Sequence, residues 1–162
     1  MNAIEVQQLT FRYNKTPIVE EAEMSLPLGA FAVLFGGNGA GKSTLIRLLL
    51  GELSPQAGKI RLFDTDLSAF NQWKRIAYVP QNASAIGASF PATASEIVRT
   101  GLYGKTGFLH FSGKKVKEET QNALALVGME AYAKRLYSTL SGGEQQRVML
   151  ARALVSEPSL LL

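Results

Sequence analysis

Ala30-Phe31-Ala32-Val33-Leu34-Phe35-Gly36-Gly37-Asn38-Gly39-Ala40-Gly41-Lys42-Ser43-Thr44-Leu45-Ile46-Arg47-Leu48-Leu49-Leu50 is the stretch on which the reading of this chain turns. Residues 30–35 are an unbroken apolar run, the composition of a strand buried on both faces. Residues 42–50 have helical character and Gly51 closes them. Between the two, residues 36–43 fit the phosphate-loop pattern G-x-x-x-x-G-K-[ST]. Glycine lets the backbone turn tightly and aim its N–H groups inward as an anion nest. The helix that follows adds the partial positive charge of its N-terminus. Lys42 is long enough to reach the β- and γ-phosphates of a nucleotide, the Ser43 hydroxyl can hold Mg²⁺, and Thr44 adds a phosphate contact. At ordinary glycine usage the bare pattern arises in about one random chain of this length in two hundred. The flanking strand and helix patterns make a glycine-rich turn that binds nothing the weaker alternative.

On the N-terminal side, Ile4, Val6 and Leu9 fall near one face of a strand that runs through Thr10-Phe11-Arg12-Tyr13 to a turn at Asn14-Lys15. Residues 22–26 suggest a second strand, stopped by Pro27-Leu28-Gly29. On the C-terminal side, Ser54-Pro55-Gln56-Ala57-Gly58 is turn chemistry, and residues 59–63 and 76–79 read as strands. Helical texture then takes over at 92–100, 114–127 and 142–156, and Ser159-Leu160-Leu161-Leu162 opens a further strand. Strands interrupted by helices give an α/β class. The expected organisation is a nucleotide-binding core over 1–90, a helical segment over 91–140, and a final helix and strand start over 141–162.

A second glycine-rich motif lies at Leu140-Ser141-Gly142-Gly143-Glu144-Gln145-Gln146-Arg147. Locally it is a helix start: Ser141 suits the N-cap and Glu144 completes a capping box three positions on. Val148, Ala151, Leu154 and Val155 then make an apolar face. Capping does not account for Gly142 and Gly143, which are poor helix formers. Bare backbone at a helix start does let a phosphate approach the N–H groups.

The stretch resembles the signature motif of the ABC ATPase family, and the resemblance extends over the whole chain. It implies a P-loop NTPase fold of the ABC type with a helical subdomain insert. In that family Tyr13 would stack on adenine, and residues 36–44 (Gly36, Gly37, Asn38, Gly39, Ala40, Gly41, Lys42, Ser43 and Thr44) would form the Walker A loop around ATP. Gln81, in Tyr78-Val79-Pro80-Gln81, stands in the place of the Q-loop glutamine that contacts Mg²⁺ and relays nucleotide state to the membrane subunit. Ser141, Gly142, Gly143 and Glu144 would face the nucleotide of a second ATPase subunit in a head-to-tail homodimer, with Ser141 and Gly143 on its γ-phosphate. Such a subunit works at the cytoplasmic face of the membrane with a transmembrane permease and, indirectly, a solute-binding protein; no nucleic acid is expected. Residues 89–101 resemble the zinc/manganese type of bacterial metal importer and, less closely, the iron-siderophore type. A soluble ABC ATPase of the translation-factor or DNA-repair type is the alternative. The compact spacing from Gln81 to Ser141, without sustained heptads, disfavours members with a coiled-coil insertion.

Several features depart from the family pattern. Gly37 stands where proline is usual, which implies a looser empty loop but not lost binding. The Walker B Asp-Glu pair, the D-loop and the switch histidine would all follow Leu162. The chain is therefore expected to be about the first two-thirds of such a domain, deficient in hydrolysis and poorly soluble by itself. His110, the only histidine, lies in the insert and does not fit the switch role. Asp64-Thr65-Asp66 reads as a turn rather than a carboxylate pair.

Composition sets bounds on these readings. The 162 residues are 46% hydrophobic and 19% charged, ordinary values for a globular domain and unlike a disordered chain. The absence of cysteine excludes disulfides and thiolate metal sites. The net charge of +4 traces partly to Lys114, Lys115 and Lys117, read as a solvated cluster rather than a nucleic-acid patch. No stretch reaches the roughly 20 apolar residues of a membrane span, and the N-terminus lacks a signal-peptide pattern.

Overall fold

A computed structural model describes residues 1–81, 91–106 and 113–162. They form two compact units, Met1–Trp73 and Lys74–Leu162.

In the first unit, β1 (Asn2–Tyr13) and β2 (Thr16–Pro27) make a long antiparallel hairpin. Its tip has Asn14 at φ 55°, a left-handed conformation that asparagine tolerates. The other edge of β1 pairs with β3 (Ala57–Leu62), and β3 pairs with β4 (Thr65–Asp66), so the antiparallel order is β2-β1-β3-β4. Ile4 and Val6 are buried at even positions, but Leu9 and Phe11 are buried at odd ones. A bulge explains the switch. Gln8 has φ 44°, and the register of β1 shifts there against both neighbours. One extra residue moves the next side chain to the other face, so both halves of β1 point the same way. Gly58 in β3 accommodates the bulge: it has φ +86°, and a Cβ there would lie 2.3 Å from the Gln8 carbonyl oxygen. Helix α1 (Lys42–Leu49) buries Thr44, Leu48 and Leu49. The Asp64 stretch is a turn, as its composition predicts. Phe63 and Asp64 both have positive φ between β3 and β4, and burial of the Phe63 ring, stacked on Phe70, offsets the backbone cost.

The apolar run at 30–35 departs from its sequence expectation. It has no regular secondary structure, and Phe31 and Phe35 are 91% and 85% exposed. Hydrophobic composition prescribes a two-sided strand only where neighbouring strands supply ladder partners and cover. No strand among the described residues pairs with this segment.

In the second unit, β5 (Ile76–Ala77) and β6 (Leu160–Leu161) pair in parallel, so the closing residues do enter a sheet. The unit also holds helices α2 (Ala94–Thr100), α3 (Tyr103–Thr106), α4 (Lys114–Leu126) and α5 (Gly142–Leu154); α2, α4 and α5 follow the expected positions closely, and the short α3 has no counterpart in the sequence expectation. Their core gathers Val98, Leu102, Leu124, Met129, Tyr137 and Val148. Val148, Ala151 and Val155 are buried as the helical spacing predicts, whereas Leu154 is only partly covered. Lys114, Lys115 and Lys117 are exposed. Thr93 caps α2 through a full capping box with Glu96, and its hydrogen bonds hold the Glu96 carboxyl below the usual range. No helix among the described residues is long and apolar enough to cross a membrane.

Candidate nucleotide-binding site

The loop of residues 36–41 delivers the chain into α1 through Gly41, whose φ of +84° requires glycine. A Cβ at Gly41 would also stand 2.7 Å from the Ile18 carbonyl oxygen on β2, so the loop and the hairpin touch backbone to backbone. No side chain caps α1, and its first turn carries no acidic residue. The N–H groups and the positive end of the helix dipole are therefore left for an external anion.

Lys42 folds over this loop. Its Nζ donates to the carbonyl oxygens of Gly36 and Gly37, both at 2.7 Å. These are neutral acceptors, so a phosphate oxygen, which forms a stronger charge-assisted bond, is a better partner for the ammonium. The Ser43 hydroxyl is exposed, as a metal-binding role would need, while Thr44 is buried. Asn38 and Ala40 lie on the exposed loop, and the Ala40 N–H bonds the Gly37 carbonyl at 3.2 Å. A triphosphate fits this donor set: a cation, uncapped backbone amides, and no competing carboxylate. Gly37, where proline is usual, has open space around its Cβ position.

Tyr13 ends β1 on the same unit, 41% exposed. Its ring meets that of Phe11 at an interplanar angle of 88°, with centroids 4.9 Å apart. Its hydroxyl accepts a hydrogen bond from Arg47 on α1 at 3.2 Å. No residue motif in the sequence announced the Tyr13–Arg47 contact, because it joins positions brought together only by the fold.

In the second unit, Gln81 is exposed in a turn after Pro80. The Val79 N–H just before it bonds the Leu162 carbonyl at 2.9 Å, which ties this stretch to β6. At the start of α5, the capping box forms as expected. Glu144 N–H donates to Ser141 Oγ at 3.4 Å, and the Glu144 carboxylate accepts from Ser141 N–H at 2.7 Å. These bonds, from the Ser141 amide and then its hydroxyl, hold the Glu144 carboxyl below the usual range. Gly142 and Gly143 are exposed with nothing within 4 Å of their Cβ positions, and neither has positive φ. Nothing in the described structure requires glycine at either place, though glycine is a poor helix former.

Gln145, a polar residue within the glycine-rich motif with no expected role, is buried. Its side-chain amide donates to the Tyr137 carbonyl at 3.1 Å, and the Tyr137 hydroxyl donates to the Gln145 carbonyl at 3.5 Å. This pair fixes the segment that leads into the Ser141 cap. Burial raises the Tyr137 pKa.

Asp64 and Asp66 each have a protein partner. Asp64 Oδ1 accepts from the Asn2 N–H at 3.2 Å, and Asp66 pairs with Arg61 at 3.4 Å. His110 lies outside the described residues. Among those residues no three His, Cys, Asp or Glu side chains group as a metal site.

The family model for the ABC transporter matches residues 19–162. A zinc uptake system ATP-binding protein of Listeria monocytogenes is 42% identical over 159 residues, covering 98% of this chain and 62% of that protein. A manganese transport system ATP-binding protein of Bacillus subtilis is 42% identical over 154 residues, covering 95% and 60%. Among solved structures, the cbiO1 protein of Clostridium perfringens, part of the cbiONQ ABC transporter complex, superposes with a TM-score of 0.85. It is 26% identical, with 99% of this chain and 64% of that chain covered. The chain thus spans about three-fifths of the length of the curated relatives it matches.

Proposed function

Because this chain belongs to the ABC transporter family, we propose that it forms the ATP-binding part of an ATPase subunit that powers import of a divalent metal ion through a membrane permease. The observation that carries the ATP assignment is the uncapped start of α1 behind a glycine loop, with the Lys42 ammonium held over it only by neutral carbonyls. The cargo assignment, zinc or manganese, rests on the relatives' transport systems. The subunit sits peripherally on the cytoplasmic face, and a solute-binding protein delivers cargo from the other side.

Residues 36–44 surround the triphosphate and Tyr13 stacks on the adenine. The Ser43 hydroxyl on the first unit would hold Mg²⁺, which would neutralise charge on the phosphates, and Gln81 serves as the Q-loop glutamine. Ser141, Gly142, Gly143 and Glu144 reach the nucleotide of a partner subunit in a head-to-tail dimer. The open backbone at Gly142 and Gly143 supports that role, since an approaching phosphate would use the space that side chains leave. Residues 91–140 serve as the helical subdomain between the core and the signature helix. Copurification with a multi-span permease supports the transport reading; capture of ribosomes instead would favour a soluble translation-type ATPase.

Two expected results test the remainder. Ser141→Arg in the full-length protein should leave monomer ATP affinity within about twofold and abolish ATP-dependent dimers in sedimentation. Because this change also removes an N-cap worth about 1 kcal/mol, Gly143→Leu, which keeps the cap, is the companion variant and should behave alike. ATP-driven dimers in both variants would overturn the signature assignment. Separately, the 162 residues contain no Asp-Glu pair to hold Mg²⁺ and activate water. By themselves they should hydrolyse ATP at least about a hundredfold more slowly than complete family members, the usual minimum for a missing general base. Comparable turnover in a phosphate-release assay would refute this.

A further inference from the structure

Tyr13 is held by a chain of contacts that leads back to the phosphate-gripping helix. Arg47 lies on α1, five positions after Lys42, so the element that presents its N-terminal amides to the phosphates also carries this guanidinium. Arg47 Nη1 donates to the Tyr13 hydroxyl at 3.2 Å while its Nε donates to Glu52 Oε2 at 3.1 Å. Glu52 is fixed in turn: its N–H bonds the Arg47 carbonyl at 2.9 Å beyond the end of α1. Together with the perpendicular Phe11 ring, these contacts restrain the Tyr13 ring and its hydroxyl while the residue stays 41% exposed.

An aromatic platform contributes stacking energy only if its ring is presented in a fixed orientation, because ordering it at the moment of binding costs entropy. We propose that Arg47, clamped by Glu52, is a positioning residue that orients Tyr13 for the nucleobase and links base recognition to the helix that grips the phosphates. The inference rests on the reading of Tyr13 as the adenine platform. The planar fork of arginine suits this task, since it serves a carboxylate and a hydroxyl at once without losing its charge.

The test is calorimetric titration of the full-length protein with ATP and, in parallel, with inorganic tripolyphosphate, which has no base to stack. Tyr13→Ala should weaken ATP about tenfold and leave tripolyphosphate unchanged, a loss of the size of one stacking contact. Tyr13→Phe, which keeps the ring and loses the acceptor, and Arg47→Met should each weaken ATP about threefold, the effect of one modest hydrogen bond, again without touching tripolyphosphate. The double variant should be no weaker than either single one, because both remove the same interaction. If Tyr13→Ala binds ATP normally, the platform reading itself fails and the inference with it. If Tyr13→Ala loses affinity but Tyr13→Phe and Arg47→Met do not, the platform stands and Arg47 does not position it. If Arg47→Met weakens tripolyphosphate as much as ATP, Arg47 acts on the helix or the phosphates, and the inference is overturned.

Discussion

Replacing Lys42 with alanine is expected to weaken ATP binding at least about a hundredfold in the full-length protein, because it removes charge-assisted bonds worth about 1.5–3 kcal/mol each. The ammonium is already in place over the loop, 2.7 Å from the Gly36 and Gly37 carbonyls. A triphosphate needs only to exchange those neutral acceptors for its own anionic oxygens. The fold should barely notice the change. Both carbonyls belong to exposed residues and regain water when the lysine is lost, so apo stability should shift by no more than about 0.5 kcal/mol. Calorimetry with ATP and Mg²⁺, paired with urea unfolding of the apo protein, reads both quantities. Unchanged ATP affinity would remove the phosphate cradle from the account. Equal losses of affinity and stability would mean that Lys42 holds the loop together instead of gripping phosphate.

Gly101→Ala is expected to destabilise the second unit by about 2–4 kcal/mol, at the upper end of overpacking effects. Gly101 ends α2 with ordinary right-handed dihedrals, so its backbone does not call for glycine. Its surroundings do. A Cβ there would stand 2.1 Å from the Arg152 carbonyl oxygen and 2.6 Å from Val155 Cγ1, both at the end of α5. Neither a side-chain rotation nor a small shift relieves a clash with helix backbone. The helices would have to separate, and the Arg152 Nε bond to Thr100 Oγ1 at 2.9 Å lies at the same crossing. Gly104→Ala is the control: its nearest neighbour is Lys74 Cγ at 3.9 Å, and the change should cost less than about 0.5 kcal/mol. Urea midpoints of the two variants decide the matter. Equal midpoints would show that α2 and α5 do not pack as closely as described.

Much of this molecule was legible because the interactions that shape it are short-range. The periodicity at 114–127 and 142–156 places α4 and α5, since burying one stripe needs only a helix and something apolar beside it. The Ser141–Glu144 box closes within one turn and forms as its spacing predicts. The same Thr93–Glu96 spacing is equally local, and it forms the capping box of α2. Turn chemistry at Asn14-Lys15 and Asp64 likewise appears where composition puts it.

What the residues determined by themselves is local: glycine at φ-positive turns, caps, helical faces, and a lysine set behind a loop of bare amides. The tertiary structure decided whatever depends on a neighbour distant in sequence. It settled that Gln8 would bulge and switch the buried parity of β1, because Gly58 lies opposite with no side chain to block it. It settled that Gly101 is a packing residue and not merely a helix end, and that Arg47 meets Tyr13 across 34 positions of chain. The run at 30–35 marks the boundary between the two: its hydrophobicity is written in the residues, but burial is a property of a pair of surfaces, and no strand among the described residues pairs with it to supply the second one.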